Sequence, residues 1–331
     1  MIRKLLACLL LLVVAGCTHN DDVVTEQAYV FGTLVEVSVI DDSESHAKPA
    51  IAAVLARFDQ LHRKLHAWQP SDLSRLNAAF ARHEHAAIDP ELAALLTDAT
   101  AISEQSGGLF NPAIGQLIAL WGFQSDTPQS RIPAANEIMR RVKAAPRMSD
   151  LHIENGIAWS DNPSLQLDLG GYAKGYALDE AVRILKAYGI RNALVNIGGN
   201  LIALGQHGDR PWRIGIQHPR QPGMLATLDL HDGEALGTSG DYQRFFEVGG
   251  TRYCHLIDPR TGFPAMGMQS VTVLIAGLHA GTRSDALSKP LFIGGVEHVQ
   301  DSAARMGVSA YLAVDAGGKK TVSPALATRL R

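Results

Sequence analysis

The spacing of apolar side chains changes period several times along the chain, and each change marks an element. Residues 29–40, Tyr-Val-Phe-Gly-Thr-Leu-Val-Glu-Val-Ser-Val-Ile, alternate with the two-residue period of a strand, interrupted at Gly32-Thr33 where something approaches the backbone. A helical period predicts a helix over 47–65, followed by a turn at 66–72 that leads into a short segment, 73–77. A second helix fits 90–106 and ends at Gly107-Gly108, as a helix C-terminus should; an apolar stretch then runs to Trp121. Residues 165–169 return to strand alternation, Gly170-Gly171 turns the chain, and an amphipathic helix over 173–188 stops at Gly189. Strands are predicted at 192–197, 212–217, 226–230, 244–248, 250–257 and 270–275, with turn residues between them that suit antiparallel pairing. A helix over 285–293 and a strand over 310–314 precede a polar tail. With no repeat and no obvious linker, the chain reads as α+β, one catalytic unit of mixed, largely antiparallel sheets with packed helices.

The N-terminus adds a location. Arg3 and Lys4 precede an apolar run over 5–16, too short to span a bilayer as a helix but laid out as a secretory signal. Val14-Ala15-Gly16-Cys17 resembles the lipobox of bacterial lipoproteins, in which the cysteine becomes the lipidated first residue. The expected division is a signal peptide at 1–16, a tether at 17–27 and the catalytic unit at 28–325. The body would then face the periplasm, held to the membrane through the lipid on Cys17. Of three cysteines, Cys8 leaves with the signal and Cys17 takes lipid, so Cys254 alone remains and no internal disulfide can form. Stability must come from a core, for which a 331-residue chain with 46% hydrophobic residues has ample material. The net charge of −3 carries no basic stripe for a phosphate backbone, which excludes nucleic acid as a partner.

Three segments hold candidate chemistry. Residues 253–264, Tyr-Cys-His-Leu-Ile-Asp-Pro-Arg-Thr-Gly-Phe-Pro, bring an imidazole, His255, and a carboxylate, Asp258, to the end of a strand beside a polar turn. The plain alternative is a buried histidine before an ordinary turn. Residues 168–176 place Gly170-Gly171 and Lys174 at a helix N-terminus, where free amides and the dipole favour an anion. Neither a Rossmann fingerprint nor a Walker loop is present, and Asp168 either caps the turn or holds a ligand group. In the third segment, 282–291, Asp285 either binds a metal or complements a helix dipole. Pro290 argues that this helix begins near Leu287, leaving Asp285 just before it. Six Gly-Gly pairs, most at element ends, permit close backbone approach by a pyrophosphate, although each is also an ordinary turn former. His62 and His66 lack the third ligand of a zinc site, His83-Glu84-His85 reads as a polar loop, and Cys254 reads as core because strand neighbours face opposite ways.

These segments, with Phe-Gly-Thr at 31–33, Leu-Ser-Arg-Leu-Asn at 73–77, Gly-Gly-Leu-Phe-Asn-Pro-Ala-Ile-Gly at 107–115, Leu-Trp-Gly-Phe at 120–123, Asn-Ile-Gly-Gly-Asn at 196–200 and Thr-Ser-Gly-Asp-Tyr at 238–242, resemble the ApbE family of FAD:protein FMN transferases. The resemblance implies a T-fold-like unit that cleaves the pyrophosphate of FAD, attaches FMN by a phosphoester to a threonine or serine of an envelope redox-complex subunit, and releases AMP, usually with Mg²⁺. It implies FAD contacts from Phe31, Trp68, Leu109, Phe110, Asn111, Asp168, Lys174 and Ile257, and metal ligands in the Gly171 carbonyl and Asp285; His255, whose ordinary pKa lies near the working pH, is the candidate base, with Asp258 beside it in the catalytic set. Two positions depart from the family pattern. Asn111 stands where aspartate is frequent, and Lys289 where threonine is common, four residues after Asp285. A protonated lysine only donates and cannot ligate Mg²⁺. Either Lys289 points away, leaving the metal to Asp285 and Gly171, or its ammonium stands near the pyrophosphate and partly replaces the metal. The second is the expectation carried forward.

Overall fold

A computed structural model describes residues 23–41, 43–125, 127 and 130–331; the expected signal peptide, Cys17 and the first part of the tether lie outside them. Eight strands make one sheet in chain order: β1 (Val23–Val30), β2 (Thr33–Ile40), β3 (Asn192–Ile197), β4 (Asn200–Leu204), β5 (Glu234–Gly240), β6 (Met268–Ala276), β7 (Ala310–Asp315) and β8 (Lys320–Val322). Every neighbouring pair is antiparallel. Because β1 begins at Val23 and pairs there with Ile40, residues 23–27 belong to the sheet and not to the tether expected of them.

The two faces of the sheet are covered differently. Three long helices, α1 (Glu44–Leu65), α2 (Ala173–Ala187) and α3 (Ala280–Gly294), lie across one face, with α1 against β1 and β2 and α3 against β5 and β6. The other face packs on a hairpin, Trp212–Gln217 with Met224–Leu230, through Leu201, Leu236, Leu274 and Leu312. Residues 212–217 alternate strictly between buried and exposed, as a strand covered on one side must; β6, covered on both, is buried over its first eight residues. A third cluster, built from Ile114, Leu117, Trp121, Phe123, Ile138, Phe246 and Ile257, supports a second hairpin, Phe245–Val248 with Thr251–Cys254.

Several boundaries differ from expectation for physical reasons. The strand predicted over 29–40 is the hairpin β1–β2, turned by Phe31 and Gly32 at φ 57° and 69°. A bulky residue at positive φ is costly, and its bland alternation hid the turn. Residues 165–169 are extended but do not join the sheet: Asn77 donates to the Leu167 carbonyl at 2.9 Å and accepts its N–H at 2.7 Å, acting as a strand partner made of one side chain. The segment 73–77 lies in a helix, Asp72–Ala81, with Ser71 and Ser74 forming a capping box.

The largest departure is α3, which starts at Ala280 and runs through Pro290. Asp179 of α2 caps its first turn from outside, accepting the N–H groups of Gly281 and Thr282 at 2.8 Å each and the Thr282 hydroxyl at 2.6 Å. Nearly every side chain from 280 to 292 is buried, so packing overrides what the proline and glycine cost. Asp285 therefore lies within the helix and points at α2. The strand β5, the helix Ala135–Ala144 and a small sheet that pairs Leu151–Glu154 with Ile157–Ser160 had no clear signal in the periodicity.

Candidate active site

The Gly170-Gly171 turn is fastened on both sides. Asp168 donates its N–H to the Pro112 carbonyl at 2.8 Å, and its Oδ1 accepts the Gly170 N–H at 2.9 Å. Burial raises the pKa of this carboxyl above its ordinary value, opposed by hydrogen bonds from Gly170 and Gln124 and by the charges of Arg244 and His66. Asp168 thus does the capping that its position permits, and it lies between a cationic cluster and an aromatic wall.

The cationic cluster gathers residues from three elements. Lys174, in the first turn of α2, donates to the Gly170 carbonyl at 3.2 Å and stands 3.9 Å from Asp285 Oδ1. Asp285 is fully buried; Oδ2 accepts the Gly175 N–H at 3.0 Å, and Oδ1 accepts the Lys289 ammonium. Lys289 also donates to the Asp285 carbonyl at 2.7 Å. Its side chain lies along the glycine turn, where a Cβ added to Gly171 would sit 3.0 Å from Lys289 Cε and 3.7 Å from the Phe110 ring. Burial alone would raise the Asp285 carboxyl, but Lys174, Lys289 and the Gly175 N–H outweigh it and hold the group at about 2. Lys289 is pushed down to about 8 by burial, against the attraction of Asp285.

His255 follows directly on the strand that ends at Cys254, so the expected strand stops short of it. Its backbone N–H donates to the Arg244 carbonyl at 3.1 Å, and Nδ1 lies 3.2 Å from the same oxygen. A carbonyl only accepts, so Nδ1 carries the proton and Nε2 keeps its lone pair. Burial, then the charges of Arg244, Lys174 and Lys289, push the imidazole down to about 3. The imidazole is therefore neutral near pH 7, with Nε2 able to accept a proton. Asp258 does not serve it: both carboxylate oxygens bind the Arg260 side chain at 2.7–3.2 Å, and Oδ1 also accepts the Arg260 N–H at 2.9 Å. Asp258, expected as a catalytic group, has its carboxylate engaged by its own turn, which closes on Arg260.

An aromatic wall stands next to the cluster. Phe31, His62, His66 and Trp68 meet edge to face in sequence, with centroids 5.7, 5.0 and 4.5 Å apart, and Trp68 is 39% exposed. The two histidines serve as wall members, and among the described residues no group of three metal-binding side chains exists. Phe110 is buried next to Gly171, Leu109 is half-buried, and Ile257 is buried in the third cluster. The Asn111 side chain is committed locally, donating to the Pro146 carbonyl at 2.9 Å and accepting the Ala113 N–H at 3.0 Å. Arg244 was not singled out from the sequence, although its place opposite His255 in a hairpin offered a signal; Asn77 and Asp179 gave none, because their partners are distant in sequence.

The residues present do not fit a magnesium ion. Mg²⁺ demands near-octahedral oxygen ligands. Oδ1 of Asp285, the carboxylate expected to bind it, is paired with the Lys289 ammonium and has the Lys174 ammonium 3.9 Å away, so positive charge with no lone pair to offer stands where the metal and a further oxygen ligand would be needed. What the cluster does offer is amides at a helix start, two ammonium groups and a neutral imidazole, a set that stabilises charge on transferring phosphoryl oxygens and can receive a proton.

Comparison with known proteins agrees with this chemistry. The ApbE family profile matches residues 31–312. An FAD:protein FMN transferase of Rhodobacter capsulatus is 44% identical over 93% of the chain, which spans 58% of that protein's length. One of Klebsiella pneumoniae is 32% identical, over 90% of the chain and 87% of the relative. Among solved structures, the ApbE protein of Thermotoga maritima superposes with a TM-score of 0.86 at 30% identity, covering 94% of the chain and all of that structure. The flavinyl transferase ApbE of Pseudomonas stutzeri, in its apo form, gives 0.81 at 30% identity, covering 93% and 97%.

Proposed function

The chain belongs to the ApbE family, and from that premise we propose that it transfers the FMN half of FAD to a hydroxyl side chain of another protein. In this reading the flavin ring lies along Phe31 and Trp68, and the pyrophosphate meets the amides at Gly170-Gly171 together with Lys174 and Lys289. His255 Nε2 takes the proton of the acceptor threonine or serine as its oxygen attacks the phosphorus on the FMN side. A new phosphorus–oxygen bond forms, the bridge to the adenylate breaks, and AMP leaves with the bridging oxygen. Phosphoryl transfer asks little covalent chemistry of a protein, so positioning and charge neutralisation carry the rate. The observation that supports this most is the gathering of the Lys174 and Lys289 ammonium groups at the Gly170-Gly171 turn where α2 begins.

We further propose that the acceptor is a subunit of an envelope redox complex and that a lipid on Cys17 tethers the catalytic unit, residues 28–325 with β1 added, at the periplasmic membrane face. The tether rests on the sequence around Cys17 alone; Cys17→Ser should release the protein from the membrane fraction, and retention would refute it. The reaction is tested by incubating the protein with FAD and an acceptor domain. Covalent flavin on the acceptor with matching AMP is the expected result. AMP with free FMN would instead indicate a pyrophosphatase, and neither product a flavin carrier.

A further inference from the structure

We infer that Lys289 is the resident counter-cation of the pyrophosphate site, so that this chain binds the bridging phosphates of FAD without a divalent metal. The inference rests on the flavin-transfer reading and goes beyond it by naming what neutralises the phosphates.

Four observations carry it. First, both oxygens of Asp285 are engaged: Oδ1 accepts Lys289 Nζ and Oδ2 accepts the Gly175 N–H, the second a backbone group fixed by the crossing of α2 and α3. A dication bound at Oδ1 would have to displace that ammonium. Second, the Lys289 ammonium has three N–H groups, and its two hydrogen-bond acceptors, Oδ1 and the carbonyl oxygen, both belong to Asp285. One donor remains for a phosphate oxygen. Third, the lysine stem lies against Gly171, at the start of α2 where amide dipoles already favour an anion. Fourth, Lys174, Arg244 and Lys289 all act on His255, and the nearby carboxylates are Asp285 and Asp168. Lys174 and Lys289 together bring two positive charges to the single Asp285 carboxylate, an excess that a bound anion would offset.

A hydroxyl at position 289 would reverse the arrangement. It would remove the ammonium from Asp285 and leave a carboxylate oxygen and a neutral oxygen facing the glycine turn, a set that accepts a metal. The chain therefore carries in one side chain the charge that a metal ion would otherwise bring, and Lys289→Thr should create the dependence that the native residue avoids.

The test reads FAD binding to the whole chain by quenching of flavin fluorescence, in excess EDTA and in excess Mg²⁺, with no acceptor present. The native protein should bind FAD equally in the two conditions, within about twofold. Lys289→Thr should bind about tenfold or more weakly in EDTA and recover with Mg²⁺, and Lys289→Met should be about tenfold weaker in both. A native protein that loses tenfold or more of its affinity in EDTA and regains it with Mg²⁺ would overturn the inference while leaving the flavin-transfer reading intact. Absence of FAD binding in both conditions would overturn that reading and the inference together. The native comparison decides alone should either variant fail to fold.

Discussion

Gly175 occupies the point where α2 and α3 cross, and alanine in its place tests how the fold builds the site. A Cβ there would overlap the Gly281 carbonyl oxygen and lie 2.7 Å from Asp285 Cβ and 2.8 Å from Thr282 Cα, none of which can rotate away. The contact is reciprocal, since a Cβ on Gly281 would come within 2.6 Å of the Gly175 carbonyl oxygen. The helices would have to part by roughly an ångström, and overpacking of this kind costs about 1–3 kcal/mol. Parting also loosens the 3.0 Å bond from Gly175 N–H to the buried Asp285 carboxylate, a charged hydrogen bond worth about 1.5–3 kcal/mol. Better helix propensity returns up to about 1 kcal/mol. The net expectation is a loss of roughly 2–4 kcal/mol. Gly171→Ala supplies the contrast, because its Cβ meets chiefly the Lys289 stem, which can move. It should lose under about 1 kcal/mol of stability yet weaken FAD binding by shifting the ammonium. Urea unfolding followed by tryptophan fluorescence measures both. An unchanged midpoint for Gly175→Ala, or a larger loss for Gly171→Ala, would refute the reasoning.

Other expectations follow from the same geometry. His255→Gln should slow FMN transfer about 10²- to 10⁴-fold with FAD affinity held within a few fold, and a rate near the native one would remove His255 as the base. Asp179→Ala should cost about 1–3 kcal/mol, since it strips the cap from the N–H groups of Gly281 and Thr282; a change below about 0.5 kcal/mol in urea unfolding would show that other groups satisfy them. Because folding lowers the His255 pKa from 6.5 to about 3, the unfolded chain binds the extra proton between those values. Stability should be fully present above pH 6.5 and fall by up to a few kcal/mol as pH drops toward 3. His255→Gln should flatten that part of the profile; an unchanged slope would contradict the neutral, buried imidazole.

The parts of the fold legible in the sequence were those whose pattern is local. The strand at 192–197 alternates cleanly because β3 is half covered, and the helix ending at Gly189 carries its own stop signal at φ 80°. What stayed hidden depends on distant partners. The start of α3 is set by a carboxylate about a hundred residues earlier in α2, so Pro290 misled the local reading. Asn77 replaces a whole strand beside Leu167, and no periodicity records a side chain in that role. In the site, Lys174, Asp285, Lys289 and His255 were recognisable by type and motif, and the structure brings their charges together. The engagement of Asp258 by Arg260 was not legible, because an Asp-x-Arg turn that closes on itself looks, in sequence, like a free carboxylate near a histidine.

A crystal structure of the His255→Gln protein soaked with FAD tests the central claim most directly, because a slowed enzyme should retain the intact dinucleotide. The account predicts the pyrophosphate within hydrogen-bond distance of Lys289 Nζ and the amides that follow Gly170, with the flavin ring on the side of Trp68. A dinucleotide whose phosphates lie elsewhere, such as in the slot between Ile214, Ile216 and Tyr242 on the other face of the sheet, would contradict it.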